Sequence, residues 1–231
     1  MKFMTLMRKE LREILPWILF AAIAFLAIGF FNITLLGHNP GYNWQYSGFE
    51  PGLDVDMHQL LSTSVLGINS VWLFLISIAF GLAIGIRQFW VPFFKKTWAF
   101  EFHRSINRRT ILTTKLSAGI IAFLLALGTI WTFFYIYSSR PDFSMVPPSI
   151  RNFLEGWIFI TIGFLAYLAT ALTALSRTHW YTTKAFGFPF AIIILTITFS
   201  QWKLSQALIT IIIGIVLLLS QIIYTFLNRE F

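Results

Sequence analysis

The sequence predicts an all-α integral membrane protein: a bundle of six transmembrane helices with an N-terminal amphipathic helix and a second one in a cytoplasmic link. Three observations carry this. Of 231 residues, 57% are hydrophobic and 11% charged, and the mean hydropathy is +0.75. Apolar stretches of about 20 residues, enough to cross roughly 30 Å of hydrocarbon, recur along the chain. The Lys and Arg residues fall almost entirely on one side of the resulting topology. An aromatic content of 18% suits a chain with lipid-facing surface and interfacial anchors. This composition excludes a soluble metabolic enzyme. The lack of cysteine excludes a disulfide-stapled secreted domain and a thiolate metal site.

Taken in order, residues 1–15 form an amphipathic helix. Phe3, Met4, Leu6, Met7, Leu11, Ile14 and Leu15 share one half of the wheel, and Lys2, Thr5, Arg8, Lys9, Arg12 and Glu13 share the other. Glu10 alone sits on the wrong side. Such a helix lies in the cytoplasmic interface with its basic face near lipid headgroups, and Pro16 is expected to break it before the first span. Span one is 17–36, too long for a signal peptide and without a cleavage pattern after it. A turn-rich outer loop follows, and span two is 65–86. There Gly81 and Gly85 form a GxxxG pair that permits close helix contact, either within the bundle or between two copies.

Residues 92–104 read as a cytoplasmic helix starting near Pro92. Phe94, Trp98 and Phe102 lie on one side and Phe93 and Phe100 on the other, with Lys95, Lys96, Glu101 and Arg104 around them. Apolar residues on two sides call for two apolar surroundings, the bundle base or membrane on one and a partner protein on the other. The alternative is a lone amphipathic segment resting on lipid. Spans three to six are 116–137, 156–175, 183–201 and 206–227, with a short interfacial helix expected before span four and a tight hairpin joining spans five and six.

Six spans put both termini on the same side. With the termini cytoplasmic, every Lys and Arg except Arg140, Arg151 and Lys203 is cytoplasmic, so the net charge of +8 is a topology signal and not the footprint of a nucleic-acid partner. The four histidines, His38, His58, His103 and His179, lie in loops or at span ends, and no HExxH or GxSG pattern is present. No catalytic, metal-binding or cofactor-binding residues are therefore expected. The acidic and basic residues are expected in loops or at helix ends, leaving Asn32, Asn69, Gln206 and Gln221 as the larger polar groups near the spans. A transporter driven by an ion gradient places ionisable groups at membrane depth. Without them, uphill transport takes its energy from another chain. That chain must also bring the nucleotide site, because no GxxxxGK[ST] loop occurs here.

The N-terminal RKELRE before a Pro and a long span, and the run HRSINRRTILTTKL entering span three, resemble the type 2 ATP-binding-cassette permeases. In that family an amphipathic elbow helix precedes span one, a coupling helix joins spans two and three, and a stretch of the form Arg-Pro-hydrophobic-Ser-Arg-Arg-x-Ile-Leu-x-x-Lys enters span three. Arg104, Ile106, Arg108, Arg109, Ile111, Leu112 and Lys115 match it, with Ser105 in place of Pro and Asn107 in place of Ser. The layout covers the whole chain and the motif about fifteen residues.

The resemblance implies a permease subunit in a bacterial-type inner membrane. It would pair with a second permease, the same or homologous, and with cytoplasmic ATP-binding subunits that carry ATP and Mg. Docking on the ATPase falls to Phe94, Trp98, Glu101, Phe102 and Arg104. Phe-rich spans suit export of a hydrophobic or amphipathic substrate. The competing readings are a non-transporting scaffold or sensor subunit, and a membrane-embedded enzyme of lipid or peptide processing, which needs a convergent polar site.

Overall fold

The computed structural model describes residues 2–37, 65–95, 107–140, 150–176, 186–200 and 204–228. The described elements are α1 (Lys2–Gly37), α2 (Val65–Gly85), a π-helical turn π1 (Ile86–Trp90), α3 (Val91–Phe94), α4 (Arg108–Phe123), π2 (Leu124–Gly128), α5 (Thr129–Ser138), α6 (Ile150–Leu175), α7 (Gly187–Ser200) and α8 (Leu204–Leu227). Among the described residues there is no strand, and α2 to α3 and α4 to α5 each run as one rod through their π turns. Five stretches are long and apolar enough to cross a bilayer: Phe3–Asn32, Asn69–Phe94, Arg108–Ser138, Ile150–Leu175 and Leu204–Leu227. This is a multi-pass membrane protein. The expected fifth span is represented by α7, whose 14 residues extend about 21 Å at 1.5 Å per residue, short of the roughly 30 Å of a hydrocarbon core.

The bundle is built around α6. Within its most apolar stretch 83% of residues are buried, against 28% for the corresponding stretches of α1 and α8. Helix α2 lies along α6 on one side, α7 and α8 cover another, and α1 packs on α2 and α4. The close approach of α2 and α6 depends on glycine. A Cβ on Gly163 would lie 2.5 Å from the Ser77 carbonyl oxygen, and one on Gly81 would collide with the Gly163 carbonyl. Gly85 faces the Thr170 side chain. The Gly81 and Gly85 pair therefore makes its close contact inside the bundle, against α6.

Pro16 does not break the first helix. Residues 2–37 form a single helix with Pro16 inside it, so the boundary expected between an elbow at 1–15 and a span at 17–36 is absent. The buried positions explain why. Met7, Glu10, Ile14, Ile18, Ala21 and Phe25 recur every three or four residues across Pro16 and form one stripe on the bundle. Phe3, Met4 and Leu15, expected on the apolar side, are exposed. The segment before Pro16 is thus held by continuous side-chain packing, which outweighs the hydrogen bond a proline removes. Likewise residues 150–155 are not a separate interfacial helix before span four but the first turns of α6, which is helical from Ile150.

Candidate functional site

Polar side chains gather inside the bundle at the end where α1 begins. Lys115 of α4 donates to Glu10 of α1, Nζ to Oε1, at 2.7 Å, with the two side chains only 3% and 5% exposed. Gln88 of π1 donates from Nε2 to the other Glu10 oxygen at 3.4 Å. The Tyr167 hydroxyl of α6 lies 2.7 Å from Gln88 Oε1 and 3.2 Å from the Lys115 carbonyl oxygen. Four segments distant in sequence thus meet in one buried network. A charged pair out of water is held only if its remaining donors and acceptors are satisfied, and Gln88 and Tyr167 contribute to that.

Local sequence explains how each group arrives. The π turn places Gln88. Its signature is the Val91 N–H bonding to the Ile86 carbonyl, one residue further than in an α-helix. Pro92 supplies a reason, because it has no N–H for the residue-88 carbonyl and its ring crowds that position, which a one-residue widening relieves. Phe89 beside Gln88 is fully buried near the Tyr167 ring, with centroids 6.0 Å apart. Trp90 donates from Nε1 to the Thr170 carbonyl at 3.2 Å, fastening π1 to α6. Tyr167 reaches Lys115 across Gly119, where a Cβ would stand 2.8 Å from the ring. A second, half-exposed contact joins the same segments, Arg87 to Glu13 at 3.8 Å.

The run that enters α4 has a definite structural part. Asn107 is the N-cap, its side-chain oxygen accepting from the Arg109 N–H at 3.1 Å. Asn is favoured at this position because its side-chain oxygen takes an N–H of the first turn that has no partner within the helix. Ile111 and Leu112 are in the core and Lys115 reaches the buried network.

Acidic and basic residues are therefore not confined to loops and helix ends, as the sequence had suggested. Glu10 and Lys115 are buried inside helices, each about 11–13 Å along the axis from the middle of its apolar rod at 1.5 Å per residue. The signal was present in Glu10, the one residue on the wrong side of the N-terminal wheel. Its partner, 105 residues away, had no local signal. Among the described residues, no group of three His, Asp or Glu side chains could hold a metal ion.

Of the residues expected to dock a partner, Phe94 is described. It is 66% exposed at the end of α3, near Trp90 and Phe93 with centroids 5.6 and 5.8 Å away, while Phe93 packs on the core. Trp98, Glu101, Phe102 and Arg104 lie outside the described residues, as do the four histidines. At the opposite end of the bundle, Asn32 donates to Asn69 Oδ1 at 2.7 Å, tying α1 to α2.

No family model matches the sequence, and no curated protein or solved structure matches it either.

Proposed function

We propose that the chain is the permease subunit of an ATP-driven transporter of the type 2 ATP-binding-cassette kind, exporting a hydrophobic or amphipathic substrate. In this reading the chain crosses the membrane six times with both termini cytoplasmic. It pairs with a second permease and takes its energy from a separate ATP-binding subunit docked on 92–104. The observation that carries the reading is the role of the run from Asn107 to Lys115. Of the residues that match the family form, Ile111 and Leu112 enter the core and Lys115 grips α1, just after Asn107, which stands where the form has Ser and caps α4 at the end of the 96–106 link. A push delivered to that link reaches α1, π1, α4 and α6 together.

The distribution of charge supports the same reading. Within the described helices, residues 14–37, 65–86, 116–139 and 156–175 and all of α7 and α8 contain no Asp, Glu, Lys or Arg. Among the described residues the acidic and basic groups buried inside the bundle, Glu10 and Lys115, lie toward one end of it and outside those stretches.

The test is purification of the native complex. A nucleotide-hydrolysing subunit should accompany the chain, and its turnover should respond to substrate. Trp98→Ala or Glu101→Lys should leave membrane insertion intact and uncouple hydrolysis from transport. The proposal fails if both variants keep full transport and ATPase association, or if the chain reconstituted alone moves solute against a gradient. An associated ATPase indifferent to every substrate would indicate the scaffold or sensor reading.

A further inference from the structure

We infer that residues 2–15 form a releasable strap, hinged at Pro16 and latched by Glu10 on Lys115, and that releasing it frees the π1 turn that leads into the 96–106 link. The hinge, the latch and the element released each rest on a separate observation.

The hinge is chemical. Pro16 lies inside α1 and has no N–H to offer the Arg12 carbonyl, so the helix is weakest between strap and span. The strap depends on its contacts with the bundle to stay in line. Those contacts include Met7 and Ile14 in the core, Leu11 against it, Glu10 between them and Glu13 at Arg87.

The latch is Glu10. Its two carboxylate oxygens are divided between α4 and π1, one taking Lys115 and the other Gln88. Glu13, one turn on, reaches Arg87 of the same π turn. Two consecutive residues of π1 are thus bonded to the strap, while Trp90 and Tyr167 hold π1 to α6. A π turn differs from the α-helix by one residue of register. Reverting π1 to α would turn every residue after it by about 100°, disturb Gln88 within the turn and bring back the Pro92 crowding that the π register relieves, so the latch reinforces a register that Pro92 already favours. With the strap latched, Gln88 is pinned between Glu10 and Tyr167 and the π register is held. With Glu10 gone, one of those two holds is lost.

The strap needs no partner protein to be tested, so its failure is distinct from failure of the transporter reading. The chain has no cysteine, so a single introduced thiol reads without background. In the full chain reconstituted in lipid vesicles, Met7→Cys should react slowly with a membrane-impermeant maleimide. Adding Lys115→Met or Glu10→Gln should speed labelling by about tenfold or more, because either change leaves a buried charge without its opposite charge.

Exchanging both groups for apolar ones, Glu10→Leu with Lys115→Met, should return the rate to within about threefold of the parent. Gln88→Leu and Tyr167→Phe, which leave the ion pair in place, should give intermediate rates and serve if the charge variants do not fold. A spin label at Lys95, just beyond π1 and α3, should gain a second mobility component whenever labelling at residue 7 speeds up. The inference is overturned if Met7→Cys reacts at the parent rate in the Lys115, Glu10, Gln88 and Tyr167 variants. It is equally overturned if labelling accelerates while the Lys95 label is unchanged, which would make the pair a clamp on the strap alone.

Discussion

Helices α6 and α8 are both long and apolar, and neither has a charged residue in its membrane-spanning part, yet they occupy opposite situations. Every residue of α6 from Tyr167 to Leu175 is buried, whatever direction it faces. In α8 only Ala207, Ile211, Gly214, Leu218, Ile222 and Phe226 are buried, one stripe at a helical repeat, while Ile209, Ile212, Ile213, Val216 and Leu217 are exposed. The difference lies in side-chain size. Helix α6 has Gly163, Ala169, Thr170, Ala171, Thr173 and Ala174 where other helices press on it, and small residues let neighbours approach on all sides. The exposed positions of α8 carry large aliphatic side chains suited to lipid. Hydropathy measures whether a helix belongs in the membrane, and residue size decides whether it belongs at the centre.

The strongest way to break that contrast is to enlarge the face of α2 that packs on α6. Gly81→Leu would drive a side chain into the Gly163 carbonyl and toward the Tyr167 backbone nitrogen, 3.1 Å from the first added carbon. Backbone atoms cannot move aside as a side-chain tip can, so α2 and α6 must separate. A loss of about 3 kcal/mol or more is expected, seen as a collapse in the yield of monodisperse protein or a large fall in melting temperature.

Next comes the buried polar network that Tyr167 of α6 joins. Lys115→Met should cost on the order of 3–5 kcal/mol by leaving the buried Glu10 carboxylate without its cation, and the further change Glu10→Leu should recover most of it. Thermal unfolding of the single and double variants in one detergent measures both. A double variant as unstable as the single would mean that Gln88 and Tyr167 depend on the charges. The smallest effect belongs to α8. Ile213→Ala, 52% exposed, should change stability by about 0.5 kcal/mol or less if lipid covers that face. A loss above about 2 kcal/mol would show that protein covers it instead.

Much of the architecture was legible beforehand because hydrophobic length is a local property. The apolar runs at 65–86, 116–137 and 206–227 each fall within a described helical rod, and the Gly81 and Gly85 spacing marked the close face of α2. The helix ends were less legible. The rod containing span three begins at Arg108, eight residues before the apolar run, because Asn107 caps it and Ile111 and Leu112 are drawn into the core. Neither π turn was foreseen. Pro92 gives π1 a cause in hindsight, while π2 has no comparable feature. The buried network was half visible. Glu10 stood out on its wheel, but Lys115 lay among basic residues whose charge has an ordinary explanation in topology.

By itself the sequence determined that this chain lives in a membrane as helices, because the cost of exposing backbone and apolar side chains to the wrong solvent is set residue by residue. Only the tertiary structure decided that α6 is central, that α1 continues through Pro16, and that one carboxylate among the acidic residues is buried against one lysine. Each of these depends on which helices are neighbours, and packing and desolvation act between segments that share no stretch of sequence.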